Sequence, residues 1–576
     1  MNTRPESDNM SDLWGAPVAQ ASAEGARGAW FRDTRFAMFI HWGLYSEAAG
    51  HWQGRDYHGI AEWLMYSARL PAADYAQLAT CFNPVDFDAQ EWVRLAVDAG
   101  MKYLVVTAKH HDGFAMFKSS ASAFNIVDAT PFGRDPLAEL AAACAAEGLK
   151  LGFYYSQYQD WHEPDAAGNT WDFTAPGDFD RYLREKARPQ IEELLTNYGP
   201  VALIWFDTPG DLSRADSQDL LDTIRHFQPD CLVNSRLGNG LGDYVTLGDQ
   251  EIPLTAPEGL WEAIDTHNDT WGFSALDHNW KSPRELLSRL VRVASLGGNY
   301  LLNVGPTGRG RLPEPSVQVL REIGAWLHRH GESLYGARPS PLLQQAWGGT
   351  TTAGGKLYLH LLQWPNNREL WVPGLGATVQ RARFFGAEGD LALLREGEHL
   401  RLELPDRPPD DLVSVLELTP GAPAADLPVR AYVHPGLVNE FTAPFARVQG
   451  CQLGRRSWME KFGDWHHLDV LEGWTAAAAA EWDFMVLAAD RFHLSAEYEC
   501  WAEADGSEFE VTIGDNRLTF PALYTGGGEG LRTRAREVCL GLVELPTGDA
   551  TLCLRALEVQ ANNAFLLAKL ILTPFV

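Results

Sequence analysis

The sequence predicts a (β/α)8-like barrel followed by two β-sandwich domains. Three observations carry the prediction. Amphipathic helices alternate with short apolar strands through residues 30–336. After Tyr335 the apolar spacing changes from helical to alternating. A proline-rich stretch, Thr419–Pro428, then divides the alternating region in two.

The elements follow in order. Phe36–Ile40 is a continuous apolar run and reads as the first barrel strand. Asp88–Ala99 places Trp92, Leu95, Ala96 and Ala99 on one helical face, stops at Gly100 and leads to the strand Tyr103–Thr107. Pro136–Glu147 stops at Gly148 before Leu151–Tyr155, and Pro189–Tyr198 stops at Gly199 before Val201–Phe206. Ser217–Phe227 leads past Pro229 to Cys231–Ser235, and Arg284–Leu296 stops at Gly297 before Tyr300–Val304. Glycine supplies the left-handed residue that ends a helix, and unbroken apolar runs suit parallel strands buried on both faces. The weaker segments Tyr244–Leu247 and Trp261–Asp265 bring the strands to eight, with irregularity in the second half. A doubly wound sheet is disfavoured, because no glycine-rich dinucleotide fingerprint follows any strand.

Leu357–Leu361, Leu400–Leu404 and Val413–Leu418 alternate and predict a sandwich over 337–420. Phe492–Trp501, Glu508–Ile513, Ala550–Ala556 and Leu566–Leu572 predict a second over 430–576. Carbohydrate binding and oligomerisation are the two roles open to that last module, and a homo-oligomer is among the expected assemblies. Residues 1–29 are polar and rich in Ala and Gly, and read as a flexible N-terminal segment.

The composition narrows the function. The 576 residues carry a formal charge of −29, which opposes binding to nucleic acid or an anionic membrane. The seven cysteines are odd in number, scattered and without a CxxC pair, which fits a reducing compartment. The N-terminus has no basic region followed by an apolar run, so no signal peptide is visible and a cytoplasmic location is expected. The 21 Trp suit either flat sugar faces or β-sandwich cores.

Barrel enzymes carry their chemistry where strands end. Here those ends are His41, then His110 and His111, then Tyr155, Asp207, Arg236, Asp249 and Asn303, alongside Trp63 and Trp205. Carboxylates, imidazoles, a guanidinium and aromatic walls suit a polyhydroxylated ring. The rival reading is a zinc or iron site made by His41, His110, His111 and Asp207. It is disfavoured because adjacent residues on an extended strand turn to opposite faces. No metal and no cofactor are expected.

Together these segments resemble the α-L-fucosidases of glycoside hydrolase family 29. The resemblance rests on Trp30-Phe31, Arg35-Phe36 through His41-Trp42-Gly43, Glu62-Trp63, Ala108 through Phe114, Gly152 through Ser156, Ile204 through Asp207, Asn234 through Arg236, Trp261-Glu262, Trp271-Gly272-Phe273 and Gly297 through Pro306. It covers 30–336 densely and the first sandwich more loosely. It implies a barrel with a β-sandwich behind it and retaining hydrolysis of terminal α-L-fucose from fucosylated glycans, with Asp207 as nucleophile. It further implies sugar contacts from His41, Glu62, Trp63, His110, His111, Tyr155 and Arg236, with Trp63 or Trp205 against the C5 methyl. Asp249, about forty residues beyond Asp207 in the run Gly242-Asp243-Tyr244 to Glu251, is the favoured acid/base. Glu251, Glu262 and Glu62 are its rivals. A non-hydrolytic fucose-binding protein and an α-L-galactosidase side activity are the alternative functions.

Overall fold

Eight parallel strands make the first sheet of the computed structural model: β1 (Phe36–Ile40), β2 (Tyr103–Lys109), β3 (Lys150–Tyr155), β4 (Leu203–Phe206), β5 (Leu232–Val233), β6 (Val245–Asp249), β7 (Trp261–Thr266) and β8 (Asn299–Val304). The structure describes residues 26–340, 342, 344–421, 430–528 and 534–575. The spatial order is 5-4-3-2-1-8-7-6. A single parallel bridge between Asn234 and Tyr244 joins the two end strands, β5 and β6. Helices α1 (Ala89–Asp98), α2 (Pro136–Glu147), α3 (Arg188–Asn197), α4 (Arg214–Phe227) and α5 (Pro283–Ser295) cross between strands, and α6 (Glu314–His330) follows β8. No α-helix separates β5 from β6 or β6 from β7, which is where the sequence pattern is least regular.

Local chemistry explains these boundaries. Asp88, Asp135, Ser213 and Ser282 cap helix N-termini by accepting from backbone N–H groups. Gly100, Gly148, Gly199 and Gly297 all take the left-handed conformation after their helices. Strand β5 is shorter than the predicted Cys231–Ser235. The Asn234 side chain accepts from Phe206 N at 2.9 Å and donates to Phe206 O at 2.9 Å, replacing the ladder, and the chain turns into a 3-10 helix at Ser235–Leu237.

Alternate residues of each strand fill the barrel interior. Ala37 and Phe39, Tyr103 and Val105, Tyr154, Leu203 and Trp205, Ile264 and Leu301 form one buried cluster. Phe31 joins it from an N-terminal helix, Ala26–Thr34, its ring 4.5 Å from Tyr244. The expected N-terminal segment 1–29 therefore already turns helical at Ala26, and residues 1–25 lie outside the described ones.

The chain divides into two compact units. One comprises residues 26–337 with the short segment Met459–Trp465; the other comprises Arg338–Trp458 and the residues from His466 onward. The second unit holds both β-sandwiches. The first packs sheets of five and three strands around Trp347, Leu359, Leu402 and Leu416. The second packs two six-stranded sheets around Trp474, Trp482, Phe509 and Phe565. The strand Ser414–Pro420 runs into the predicted linker Thr419–Pro428, of which residues 422–429 lie outside the described ones. Among the described residues no helix is long and apolar enough to cross a membrane.

Candidate active site

Side-chain alternation aims the first functional groups. On β4, Leu203 and Trp205 face the interior, so Asp207, two residues further on, faces the same way at the rim. On β1, Ala37 and Phe39 set the parity that carries His41 inward. Both groups line one pocket with Glu62, Trp63, His110, Tyr154, Arg236 and Asp249, above apolar walls from Phe39, Ile60, Trp205, Ile264 and Trp271.

Two β-bulges aim the rest. Register slips between Thr107 and Lys109 on β2. Lys109 then pairs with Tyr155, and both point outward: the Lys109 ammonium sits 4.8 Å over the Tyr155 ring and bonds Asp160. His110 is thereby turned into the pocket. Register slips again on β6 between Thr246 and Asp249, so that Asp249 pairs with the inward-facing Ile264. If this same run paired without the slip, the parity of the buried Thr246 would point Gln250 inward and Asp249 away.

Arg236 organises the carboxylates. Its Nη1 donates to Asp207 Oδ1 at 2.7 Å and its Nη2 to Asp249 Oδ1 at 2.7 Å, while Nη2 also donates to Leu247 O at 2.9 Å. The guanidinium lies 4.8 Å over the Trp205 ring. Asp207 Oδ2 accepts from the Tyr154 hydroxyl at 2.9 Å, with His111 Nε2 3.4 Å away. Burial pushes the Asp207 carboxyl up, but the His111 hydrogen bond and the Arg236 charge outweigh it and hold the group well below the usual carboxylate range. The residues after the two carboxylates, Thr208 and Gln250, both have left-handed backbones, with φ of 41° and 58°. Such conformations cluster where surrounding structure imposes a site.

The imidazole and the third carboxyl are neutral partners. Burial lowers His41 to about 4, so it is uncharged near pH 7. Asn303 Nδ2 donates to Trp271 O, which leaves Asn303 Oδ1 to accept from His41 Nδ1 at 2.7 Å. His41 Nε2 is then an acceptor for a hydroxyl. Burial raises Glu62 to about 8. Its Oε2 accepts from Gly272 N at 2.8 Å, an approach that needs glycine, since a Cβ there would lie 2.7 Å from the Tyr45 ring.

Several expected site residues are placed elsewhere. Tyr155 does not reach the pocket; its hydroxyl bonds Gln190 on α3 at 2.8 Å, and the neighbouring Tyr154 takes the inward position. His111 stands behind Asp207 with Nδ1 on Ser156 Oγ at 2.7 Å. The His110 and His111 rings are 4.3 Å apart and not on opposite faces, because both lie beyond the end of β2, where strand alternation has stopped. Glu251 turns back on its own loop and accepts from Gly248 N. Glu262 has the inward parity but the wrong depth: at the start of β7 it is fully buried, accepting from Trp205 Nε1 at 2.9 Å and from the Tyr103 hydroxyl. Trp205 serves both the barrel core and the pocket wall. Phe39, Ile60, Tyr154, Ile264 and Trp271 are lining residues outside the set expected from the sequence; Phe39, Tyr154 and Ile264 follow from strand parity, and Trp271 stands in the Trp271-Gly272-Phe273 motif. Among the described residues, no group of three His, Cys, Asp or Glu is arranged to hold a metal ion.

A rim pocket with two carboxylates on one arginine, neutral hydroxyl-binding groups and apolar walls defines a barrel enzyme of the glycoside hydrolase class. Comparison with known proteins gives the family. The α-L-fucosidase family model matches residues 11–332, and the chain belongs to that family. It is 30% identical over 410 residues to human tissue α-L-fucosidase, covering 66% of this chain and 86% of the human protein. Among solved structures it resembles the α-L-fucosidase of Vibrio sp. strain EJY3, with a TM-score of 0.79 and 30% identity over 96% of this chain and 99% of that one. It also resembles an α-L-fucosidase of Lactobacillus casei in complex with α-L-fucose product, with a TM-score of 0.52 and 47% identity over 53% of this chain and 99% of that one.

Proposed function

We propose that this α-L-fucosidase is a retaining exo-enzyme, with Asp207 as nucleophile and Asp249 as acid/base. The observation that carries the proposal is the single guanidinium of Arg236 bonded to both carboxylates. A retaining pair needs its carboxyls about 5–5.5 Å apart, and a shared guanidinium keeps them on that scale.

The chemistry follows from the groups present. Asp207 attacks the anomeric carbon as a carboxylate. The glycosidic C–O bond breaks, and Asp249 gives its proton to the leaving oxygen. In the second half Asp249 takes a proton from water, whose oxygen attacks the anomeric carbon and releases Asp207. Two inversions leave L-fucose with its original α configuration. His41 accepts from a sugar hydroxyl, and protonated Glu62 donates to one. The Phe39, Trp205 and Ile264 walls suit the C5 methyl and the C–H face.

One observation favours a second allocation. Glu62 lines the pocket and, at about 8, is already protonated at neutral pH, as an acid must be. Against it, Glu62 is 2% exposed and tied to the backbone of Gly272.

The test is hydrolysis of 4-nitrophenyl α-L-fucoside with the product anomer followed by NMR. We expect α-L-fucose as the first product, no turnover by Asp207→Ala, and azide rescue of Asp249→Ala giving an α-azide. A β first product refutes retention. Rescue of Glu62→Ala or Glu251→Ala in place of Asp249→Ala reassigns the acid/base. No nitrophenol released at any pH between about 4 and 8 overturns the whole reading. The Lactobacillus casei relative is also known in complex with Fucα(1,6)GlcNAc, which makes that disaccharide one natural substrate to try.

A further inference from the structure

The sequence from Gln452 to Glu472 lies far down the chain from the barrel, yet part of it belongs to the barrel unit. Gln452–Glu460 and Asp464–Glu472 are neighbouring strands of the last sandwich, joined by residues 461–463. The joining segment, Met459–Trp465, packs within the unit that holds the active site. Its contacts are specific. Met459 lies against the buried cluster that includes Phe39, Ile60, Trp205 and Ile264, all of which also line the pocket. The backbone at Gly463 approaches Ile60 so closely that an added Cβ would sit 3.1 Å from its Cγ1. Phe462 is buried, its ring 5.7 Å from His58. Trp465 N donates to Gln250 Oε1 at 2.6 Å.

Gln250 gives this position its meaning. It directly follows Asp249, is 6% exposed, and donates from Nε2 to Thr266 Oγ1 at 2.7 Å. An acid/base must reach the glycosidic oxygen, so it stands on the leaving-group side of the sugar. A segment that grips the residue after Asp249 and also touches Ile60 therefore stands on the acid/base side of the pocket, where the leaving group departs. Phe462 is the anchor, while Met459 and Trp465 are only half-buried. A thioether and an indole at such an edge match the apolar face of a sugar ring.

We propose that Met459–Trp465 forms the wall of a leaving-group subsite that binds the sugar to which fucose is attached, with Met459 and Trp465 as specificity-determining residues. The inference rests on Asp249 being the acid/base. The chain then takes two-ring substrates by covering the second ring with this segment of the barrel unit.

The test compares Met459→Ala and Trp465→Ala with the unaltered full-length protein on two substrates. One is α-L-fucosyl fluoride, whose leaving group is a single atom. The other is whichever of fucosyl-α1,2-galactose, fucosyl-α1,3-N-acetylglucosamine and fucosyl-α1,6-N-acetylglucosamine the unaltered protein cleaves fastest. The bond from Trp465 to Gln250 is made by the backbone, so it survives loss of the indole, and melting temperatures identify any misfolded variant. We expect KM for the disaccharide to rise about tenfold, with kcat/KM for the fluoride held within about threefold. Equal losses on both substrates, or none on either, overturn the proposal. A loss confined to kcat on the disaccharide also overturns it, because the segment would then be a support for Asp249 and not a subsite. An unaltered protein that cleaves neither substrate refutes the fucosidase mechanism itself, and an active one with unaffected variants refutes the subsite alone.

Discussion

Replacing Arg236 by lysine separates the two bonds that hold the carboxylate pair. The guanidinium makes one charge-assisted bond to Asp207 and one to Asp249, each 2.7 Å long. A lysine has a single nitrogen on a differently shaped stem and can keep one of the two in register. A hydrogen bond to a charged group contributes about 1.5–3 kcal/mol, so losing one lowers kcat/KM by about 10- to 150-fold. The pH profile changes as well. Asp207 is depressed below the usual carboxylate range, and Arg236 is one cause, so the nucleophile stays ionised far into acid. Weakening that charge raises the carboxyl, and activity is lost at a higher pH on the acid side. Stability moves with the same sign. A depressed carboxyl contributes stability that is present above its unfolded value and lost as pH falls through its folded one. The melting-temperature deficit of Arg236→Lys is therefore largest near neutrality and shrinks in acid. Steady-state kinetics on 4-nitrophenyl α-L-fucoside from about pH 3 to 9, with melting curves at each pH, measure both. A variant within about threefold of the original, with its acid limb unmoved, refutes the claim that this guanidinium organises the pair.

Three further outcomes are expected. Glu62, raised by burial to about 8, keeps its proton below that pH and loses it above, so binding weakens on an alkaline limb near pH 8. Glu62→Gln cannot ionise and removes that limb from kcat/KM; a limb that persists assigns it to another group. Glu262→Gln leaves an amide where a carboxyl raised by burial to about 7 accepts from Trp205 and Tyr103. It costs about 1–3 kcal/mol of stability, read from denaturant unfolding, and shows no azide rescue; rescue would make Glu262 a participant in proton transfer. Gly272→Ala drives a Cβ into Tyr45 and toward Glu62, and lowers kcat/KM mainly through KM. An unchanged KM would mean that Glu62 does not need that backbone donor.

The parts of this site that the sequence makes legible are those that obey simple periodicity. Leu203, Trp205 and Asp207 are spaced by two on a strand whose ends are clear, so the inward carboxylate at the rim follows directly. The glycines after the helices mark where each crossover ends, and those glycines are left-handed in the structure. Glu262 fails for an equally plain reason. Parity gives the face a residue occupies but not its depth along the barrel, and Glu262 stands at the start of β7, below the pocket floor. Tyr155 fails because alternation along β3 gives the interior to Tyr154, beside Phe39 and Trp205, and turns Tyr155 outward to Gln190.

The two bulges are a different kind of failure, and they matter more. At Thr107–Lys109 and again at Thr246–Asp249 one extra residue resets the alternation at the rim, where the chemistry sits. Ala108 is unremarkable in a strand, so nothing local marks the first bulge; Gly248 is a local sign of the second, because glycine inside a strand often accompanies a bulge. Both bulges exist because the neighbouring strands hold their register while the chain gains a residue. Counting by twos along β6 from Thr246 would have aimed Gln250 at the sugar and Asp249 at the outside. The bulge reverses that assignment: it gives Asp249 the pocket, and it gives Gln250 the left-handed turn from which its side chain meets Trp465 N. One inserted residue thus sets both the direction of the acid and the handle by which a distant segment reaches it. Deleting Gly248 is the sharpest check. The shortened β6 puts Asp249 two residues after Thr246, still opposite Ile264, so plain alternation keeps its carboxyl in the pocket and turnover of poor leaving groups survives; a deletion that melts cooperatively but has lost that turnover would show that the bulge does more than set the direction of Asp249.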